Sequence, residues 1–507
     1  MKGKILIVSI IILLIASTVS ASTVNPPVAP ASPAYGQYEI QKLPHSAVEW
    51  DYFGSAVAIN GESILVAMNG YTRYPSGLGY VFFFKHVGST WTLESSAQGN
   101  SAFDIFGSSV AVEGNTALIG AHGTAQKAYI YLHTGSSWYR AATLQPGDGS
   151  NNDWFGYSCD LSGNTAIVGK YGDDTYGDGS GSAYVYTGSG SSWTQQQKLY
   201  SPNPHAHDQF GISVTVQGDT AFIGASTENN STGAVYVFTR SAGIWTFQQR
   251  LTSDHPTQGS SFGGRTALQG NTAFIGAMRE DACGIDSGAA YVFTKKETGW
   301  VQTMKVLPSD GQAGDLFGSP VSLDQGTVVI GARGCNDNGN NSGAAYVFVF
   351  NGHSWDQSAK LLASDGYAGD SFGEKLELHN GNVIIGAPYA NDSGVLHSGA
   401  AYVFSTEPPN KLPHPAFSWT PQYPFPHQQT TFDASASYDT YGSIVKYEWD
   451  WNNDGVYDES HTTPTAVHMW TQPGGYLVTL RITDNVGGIA VLSHDVKIRH
   501  FQWANYV

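Results

Sequence analysis

The chain has 507 residues, 60 of them glycine, with 13% aromatic and only 13% charged side chains. That turn-rich composition with apolar strands excludes a helical bundle or a disordered tail and leaves room for two or three domains. Its 24 basic against 41 acidic side chains give a net charge of −17, which repels phosphate backbones and anionic lipid and argues against nucleic-acid or electrostatic membrane binding.

The first element is a targeting segment. Lys2 and Lys4 precede an apolar run from Ile5 to Ala16, and Val19-Ser20-Ala21 supplies the small-residue cleavage pattern of a secretory signal peptide. The run is shorter than a spanning helix requires, so removal after Ala21 is expected in preference to a short membrane anchor. No later run is long enough to span. The mature chain is therefore expected to be secreted, extracellular or at a cell surface, with no membrane span. Residues 22–36 are rich in Pro, Ala and Ser and read as a linker.

A repeat then takes over. Phe-Gly pairs begin at Phe53, Phe106, Phe155, Phe210, Phe262, Phe317 and Phe372, at gaps of 53, 49, 55, 52, 55 and 55 residues. Each copy holds four short apolar runs, such as Phe106–Val112, Ala117–Ala121, Ala128–Tyr131 and Trp138–Leu144, with strand length and composition. A period near fifty built of four strands predicts propeller blades. The third run is apolar at consecutive positions, as in Ala345-Tyr346-Val347-Phe348, which fits a strand packed on both faces. The fourth opens on Trp and closes on a base: Trp193 with Lys198, Trp245 with Arg250, Trp300 with Lys305 and Trp355 with Lys360. The seventh copy lacks this run, because Pro408 and Pro409 fall where it would form and proline cannot donate to a ladder. Gln41-Lys42-Leu43 stands eleven residues before Phe53, like a fourth run without its copy. The segment Tyr38–Leu43 is thus predicted to be the outer strand of the seventh blade, closing the ring.

The Phe-Gly starts, the Gly386-Ala387-Pro388 triplet and the Gly-Ala-Ala-Tyr-Val-Phe run ending at Phe404 resemble FG-GAP repeats, the blades of integrin α-chain propellers, and in particular exported prokaryotic FG-GAP proteins. The resemblance covers about residues 38–406. It implies an all-β, seven-bladed β-propeller over residues 37–406. Only the seventh copy keeps the proline after Gly-Ala, and the integrin-type calcium loop between the first two strands is replaced by tight turns such as Gly114-Asn115-Thr116. Integrin-style calcium binding there is not carried over.

After a Pro-rich joint at 407–414, strands at Phe432–Ser435, Ile444–Asp450, Gly475–Leu480 and Val496–Ile498 are separated by turn signals and suggest a small antiparallel sandwich. The strings FDASAS, YEWDWNNDG and GGYLVTLRITDNVGG resemble the PKD domain, which implies an immunoglobulin-like β-sandwich over 415–499. Residues 500–507 form a tail.

Candidate sites follow from the loops. Those joining second to third strands vary in length, from His122–Lys127 to the Asp-, Asn- and Gly-rich Lys170–Ser182, Met278–Ser287, Arg333–Ser342 and Pro388–Ser398, and rigid blades that hold variable loops are a usual binding platform. The loop tyrosines Tyr71, Tyr74, Tyr171, Tyr176 and Tyr389 are candidate ligand contacts, with packing between loops as their other reading. The recurrent acids Asp51, Asp104, Asp153, Asp208, Asp315 and Asp370, with Ser260 in the fifth copy, stand two residues before the Phe and read as acceptors of local amide hydrogens. For calcium, Asp450, Asn452, Asp454 and Asp458 with Gly455 have alternating oxygen spacing, although His461 occupies position twelve where an EF-hand has Glu and a hairpin turn at Asp454-Gly455 accounts for the same residues. Asp173, Asp174 and Asp178 form a second calcium candidate, and His205, His207 and Asp208 a transition-metal one. Of three cysteines, Cys159 falls at a core position, while Cys283 and Cys335 lie in equivalent loops of adjacent copies, where a disulfide is conceivable.

No GxSxG, HExxH, CxxC or phosphate-cradling motif is present, and the acids are spread evenly instead of forming one asymmetric constellation. The expected function is therefore non-enzymatic: an exported surface or matrix protein that mediates adhesion or protein–protein interaction with an extracellular partner through its loop face. The alternative is a lectin, or an accessory module of polysaccharide degradation, with a glycan ligand. The ligand's identity and the oligomeric state are not specified by these features.

Overall fold

Two-residue hairpins punctuate the repeats: Gly61, Gly114, Gly163, Gly218 and Gly270 open them with φ between 54 and 58°, and Gln325 and Asn380 take the same left-handed turn at 46 and 48°. Such turns match the right-handed twist of the strands they join. The computed structural model describes residues 38–500 except 47, 71–77, 102, 125, 149–152, 407–411, 440–442 and 486. The expected signal peptide, the 22–36 linker, Tyr71, Tyr74, most of the 407–414 joint and nearly all of the tail lie outside the described residues.

Seven four-stranded antiparallel sheets result. In chain order their strands span Phe53–Gln98, Phe106–Leu144, Cys159–Leu199, Ser213–Leu251, Phe262–Val306 and Val321–Leu361; the seventh joins Lys375–His379, Asn382–Ala387 and Ala400–Ser405 to Glu39–Lys42. Third strands such as Ala289–Lys296 and Ala344–Phe350 are buried at five successive positions, because each face meets another sheet. One apolar cluster joins Phe274 and Val292 of the fifth sheet to Phe317 and Tyr346 of the sixth, and another joins Phe53 and Ile64 of the first to Ile384 and Val403 of the seventh.

The recurrent glycines mark where neighbouring sheets touch. A Cβ on Gly276, in the second strand of the fifth sheet, would lie 1.8 Å from the carbonyl oxygen of Gly318, and one on Gly386 would lie 2.1 Å from that of Gly54. The glycine of the second run and the glycine after Phe are thus two halves of one contact between consecutive sheets, and the seventh sheet meets the first in the same way. At the opposite end of the strands, a polar side chain closing the inner strand of each of the first six sheets accepts an amide hydrogen from the next sheet's hairpin: Asn60 from Gly114, Glu113 from Gly163, Ser162 from Gly218, Gln217 from Gly270, Gln269 from Gln325 and Asp324 from Asn380.

Four of the acids two residues before Phe act as expected, while Asp153 pairs with the Lys170 ammonium at 2.9 Å. Asp104, Asp208, Asp315 and Asp370 each accept the amide of the residue three before, at 2.7–2.9 Å. Ser260 instead donates to the Thr232 carbonyl at 3.1 Å.

Glu39–Lys42 pairs antiparallel with Ala400–Ser405, Lys42 opposite Tyr402. The strand is pinned from several sides: Leu43 is buried, its amide donates to Ala401, and Glu39 accepts from the Ser364 amide and hydroxyl. Gln41 exchanges two hydrogen bonds with the Trp91 backbone of the first sheet, as Gln197 does with Trp245 and Gln249 with Trp300.

The C-terminal unit has two sheets, Ser418–Thr420, Thr430–Asp433 and Thr465–His468 in one, Ile444–Asp450, Glu459–His461, Gly474–Asp484 and Ile489–Ile498 in the other. Their inner faces share a core of Phe417, Phe432, Trp449, Trp451, Val478, Leu480 and Val496. Its last strand starts at Ile489, before the segment read from sequence, and from Ile489 to Asp495 exposed and half-buried positions alternate.

The cysteines correct the sequence reading. All three are free thiols, and Cys283 and Cys335 are not bridged. Their loops are equivalent but their places are not: the Cys283 amide is held by Ser287 as that of Asn338 is by Ser342, whereas Cys335 takes the position of Glu280, beneath Tyr346 with Sγ 3.5 Å from its hydroxyl. Cys283 is exposed and Cys335 buried. Cys159 is half-buried, its thiol 3.7 Å from the Leu118 carbonyl of the adjoining sheet.

Candidate functional site

The loops between second and third strands, and those leading into the next Phe, leave the sheets at one end. Five of these loop sets are fastened by a cluster that the sequence reading registered only as a base at the end of the fourth run. In the fifth sheet, Lys305 reaches Glu280 at 2.5 Å and the Tyr291 hydroxyl donates to the same carboxylate at 2.6 Å. Arg250, Glu228 and Tyr236 repeat this in the fourth sheet. In the third, sixth and seventh the base bridges two acids: Lys198 binds Asp148 and Asp173, Lys360 binds Asp310 and Asp337, and Lys42 binds Asp365 and Asp392, at 2.6–2.8 Å. Tyr184, Tyr346 and Tyr402 donate to Asp148, Asp310 and Asp365, and each lies beneath its lysine at 5.1–5.5 Å. Tyrosine and base occur in every one of these copies, so the signal was present in the sequence; the acids shift by up to two positions and hid it.

This cluster decides what the acidic loops can do. Asp173 is buried and held by Lys198 and Lys170 as well as by Thr175 and Ser182, and burial's upward push on its carboxyl is outweighed by the Lys198 and Thr175 hydrogen bonds, leaving it well below the usual range. Asp174 accepts the Gly179 amide and Asp178 is exposed, 3.7 Å from the His207 ring, so the three acids do not converge. His205 turns to Asp208 at 3.5 Å while His207 faces Asp178, which separates the proposed histidine pair. In the sandwich, Asp450 accepts amides of Asn452, Asn453 and Gly455, Asp454 that of Val456, and Asp458 that of Trp451. Their oxygens fit the turn reading of this segment better than an ion site, since both Asp450 oxygens face amide hydrogens. Among the described residues no three His, Cys, Asp or Glu side chains gather with metal-ligand spacing.

The candidate tyrosines are distributed along the loop end. Tyr176 contacts Tyr200 at 4.7 Å, Tyr389 contacts Tyr52 at 5.5 Å, and Tyr171 sits between Trp154 and Tyr157 at 4.7 and 4.6 Å. Tyr176 and Tyr389 remain exposed while Tyr171 is half-buried. Sequence reasoning missed Trp154, which lies against Tyr171, and Tyr367 and Ile285 on other loops, all of them exposed.

Inside the inner strands, Asp160 and Glu377 occupy equivalent positions, five residues after Phe155 and Phe372. Burial pushes the Asp160 carboxyl up to about 7, with the Glu113 charge adding to it, and burial pushes Glu377 up to about 8, with the Asp160 charge adding. Each accepts a backbone amide of an adjoining sheet, Asp160 from Val216 at 2.7 Å and Glu377 from Ile59 at 3.0 Å. Because both folded pKa values exceed the unfolded ones, the native state holds protons that the unfolded chain has released between about pH 4 and pH 8. Stability should fall as pH rises through that window, by on the order of 1–2 kcal/mol after discounting for partial exposure. Thermal melts should give a lower Tm at about pH 8 than at about pH 5, with the difference shrinking in an Asp160→Asn, Glu377→Gln variant; an unchanged difference would refute the assignment.

Comparison with known families matches the FG-GAP repeat to residues 95–131, 138–186, 193–238, 245–293, 300–348 and 355–404, together more than half of the chain, and a PKD domain to residues 412–499. The longer FG-GAP matches start on the outer strand of one sheet and finish on the third strand of the next. Among curated proteins, Collagenase ColA of Clostridium perfringens (strain 13 / Type A) is 38% identical over 71 residues, which is 14% of this chain and 6% of that protein. A solved structure described as "Structural basis for the promiscuous specificity of the carbohydrate-binding modules from the beta-sandwich super family" is 34% identical, covering 19% of this chain and 38% of that one, with a TM-score of 0.18. The chain thus spans a minor part of either relative.

Proposed function

The chain belongs to the FG-GAP repeat family and carries a C-terminal PKD domain, and from that premise we propose that it is an exported, non-enzymatic surface or matrix protein that binds an extracellular protein partner. In this reading the seven sheets are the blades of a closed propeller over residues 37–406, and the PKD sandwich at 415–499 is a spacer or second contact. The observation that carries it is the collection of large exposed apolar side chains on the loop end: Ile285 is 74% exposed, Tyr367 72%, Tyr176 46%, Trp154 41% and Tyr389 40%. Exposed apolar groups gathered on rigidly held loops mark partner-binding surfaces. The loop acids of the five clusters, by contrast, are engaged by a lysine or arginine and a tyrosine hydroxyl, an arrangement suited to anchoring and not to acid–base chemistry.

A glycan ligand is the second reading, favoured by the paired rings of Tyr176 and Tyr200 and of Trp154 and Tyr171. One experiment separates the two. The mature chain is applied to a glycan array and, immobilised, to extracellular-matrix proteins. Saturable binding to a matrix protein that drops about tenfold or more in an Ile285→Ala, Tyr367→Ala variant is expected for the protein partner. Sugar binding lost in Tyr176→Ala but retained in that variant would replace it with the lectin.

A further inference from the structure

Positive charge on the inner strands is concentrated in one place. Arg265 and Lys375 stand three residues after Phe262 and Phe372, where the other five sheets carry Ala56, Ser109, Ser158, Ser213 and Pro320. The framework is therefore built without cations at this position, and the two charges are not required by the fold. Arg333, directly after the second strand of the sixth sheet, adds a third. The fifth, sixth and seventh sheets are consecutive, so the three cations stand on neighbouring sheets, and two of them share one carboxylate. Arg333 Nη1 meets Glu374 at 2.7 Å, and the Lys375 ammonium reaches it only at 3.9 Å. Burial, and then the Arg265 charge, lower the Lys375 pKa against the pull of Glu374, with Arg333 adding to the fall.

Three positive groups against one negative leave an excess of two in a chain whose net charge is −17. Their donors are only partly used. Arg333 Nε is buried without a partner among the described residues, and Arg265 Nη1 donates to the Gly264 carbonyl next to it at 2.8 Å. A pocket of fixed cations set in low-dielectric walls focuses its field on an incoming anion, and guanidinium forks are shaped for carboxylate oxygens.

The repeat places aromatic rings at the corresponding positions of the third sheet. Tyr157 stands two residues after its Phe, as Glu374 does, and Tyr171 directly follows its second strand, as Arg333 does. Their rings lie 4.6 Å apart with Trp154 against Tyr171. In the propeller reading, on which this step rests, both groups border the mouth of the central channel on the loop end, cations on one side and tyrosines on another.

We infer that this mouth binds an acidic saccharide, its uronate carboxylate seated among Arg265, Arg333 and Lys375 and a sugar face against Tyr157 and Tyr171. The test is calorimetric titration of the mature chain with tetragalacturonic acid at low and high salt, beside the neutral tetragalactose and a tetraglutamate peptide. The expected result is saturable binding of the uronate alone, weakened by high salt and reduced about tenfold or more in Arg265→Ala and in Lys375→Ala. Those substitutions install a small residue of the kind other sheets carry there, so their melting should stay near that of the parent. Tyr157→Ala should weaken binding while leaving its salt dependence intact. No uronate binding, or binding unchanged in Arg265→Ala and Lys375→Ala, overturns the site. Equal binding of tetraglutamate, indifferent to Tyr157→Ala, overturns the saccharide and makes the ligand an acidic peptide. Small-angle scattering of the same samples reports separately on the ring: a compact ring without uronate binding sinks the site alone.

Discussion

Deleting residues 38–43 should lower the melting temperature of the repeat domain by about 6 °C or more. The segment is six residues in a chain of 507, yet its loss removes a whole strand from the seventh sheet and exposes Ala400–Ser405 as an open edge. Burial of Leu43 is worth about 2–5 kcal/mol. Loss of Lys42 strands Asp365 and Asp392, and loss of Gln41 opens the Trp91 backbone of the first sheet. Together these exceed about 5 kcal/mol, and they fall on the one junction where the first sheet meets the seventh. Differential scanning calorimetry of the deleted and parent chains measures the effect. A repeat-domain transition within about 2 °C of the parent would mean that the strand is dispensable.

Gly276→Ala should be nearly as damaging for a single methyl group. The added Cβ would sit 1.8 Å from the Gly318 carbonyl oxygen, a backbone atom of the next sheet that cannot rotate away. Either the two sheets separate, opening the cluster around Phe274 and Phe317, or the strand shifts and breaks its pairing with Ala290. A cost above about 4 kcal/mol is expected, at the extreme of single substitutions. Gly270→Ala in the adjoining hairpin is the control. Its Cβ meets nothing within 4 Å, so only the left-handed φ of 58° counts against it, at about 1 kcal/mol. Chemical denaturation of the two variants should separate them clearly; similar midpoints would mean that the glycine contact carries no load.

The framework was legible in the sequence because it is written many times over. Phe-Gly pairs, consecutive apolar third runs and Gly-Asn turns each report one backbone requirement, and a requirement repeated in every copy stands out against local variation. Even the displaced outer strand could be read, since Gln41-Lys42-Leu43 keeps its distance from Phe53 although its own sheet lies at the far end of the chain. The loop clusters were harder. Lys305 and Tyr291 keep fixed places, but their acid moves from Glu280 to Asp337 or Asp392, and in the sixth sheet Cys335 stands where the fifth has Glu280. That offset also defeated the disulfide expectation, because equivalence of loops was read as equivalence of residues. The cations at the inner strands escaped notice for the opposite reason: Arg265 and Lys375 break the repeat, and a search for what recurs passes over what does not.

The base and tyrosine of each fastening cluster belong to one sheet, but in the third, sixth and seventh sheets one of its acids, Asp148, Asp310 or Asp365, comes from the connection that leaves the sheet before. Each of these clusters is therefore a stitch between consecutive connections, just as the far-end hairpins hand an amide from sheet to sheet. Such a molecule can change the exposed tip of a loop without disturbing the sheets beneath, provided that the residues of the stitch stay in place.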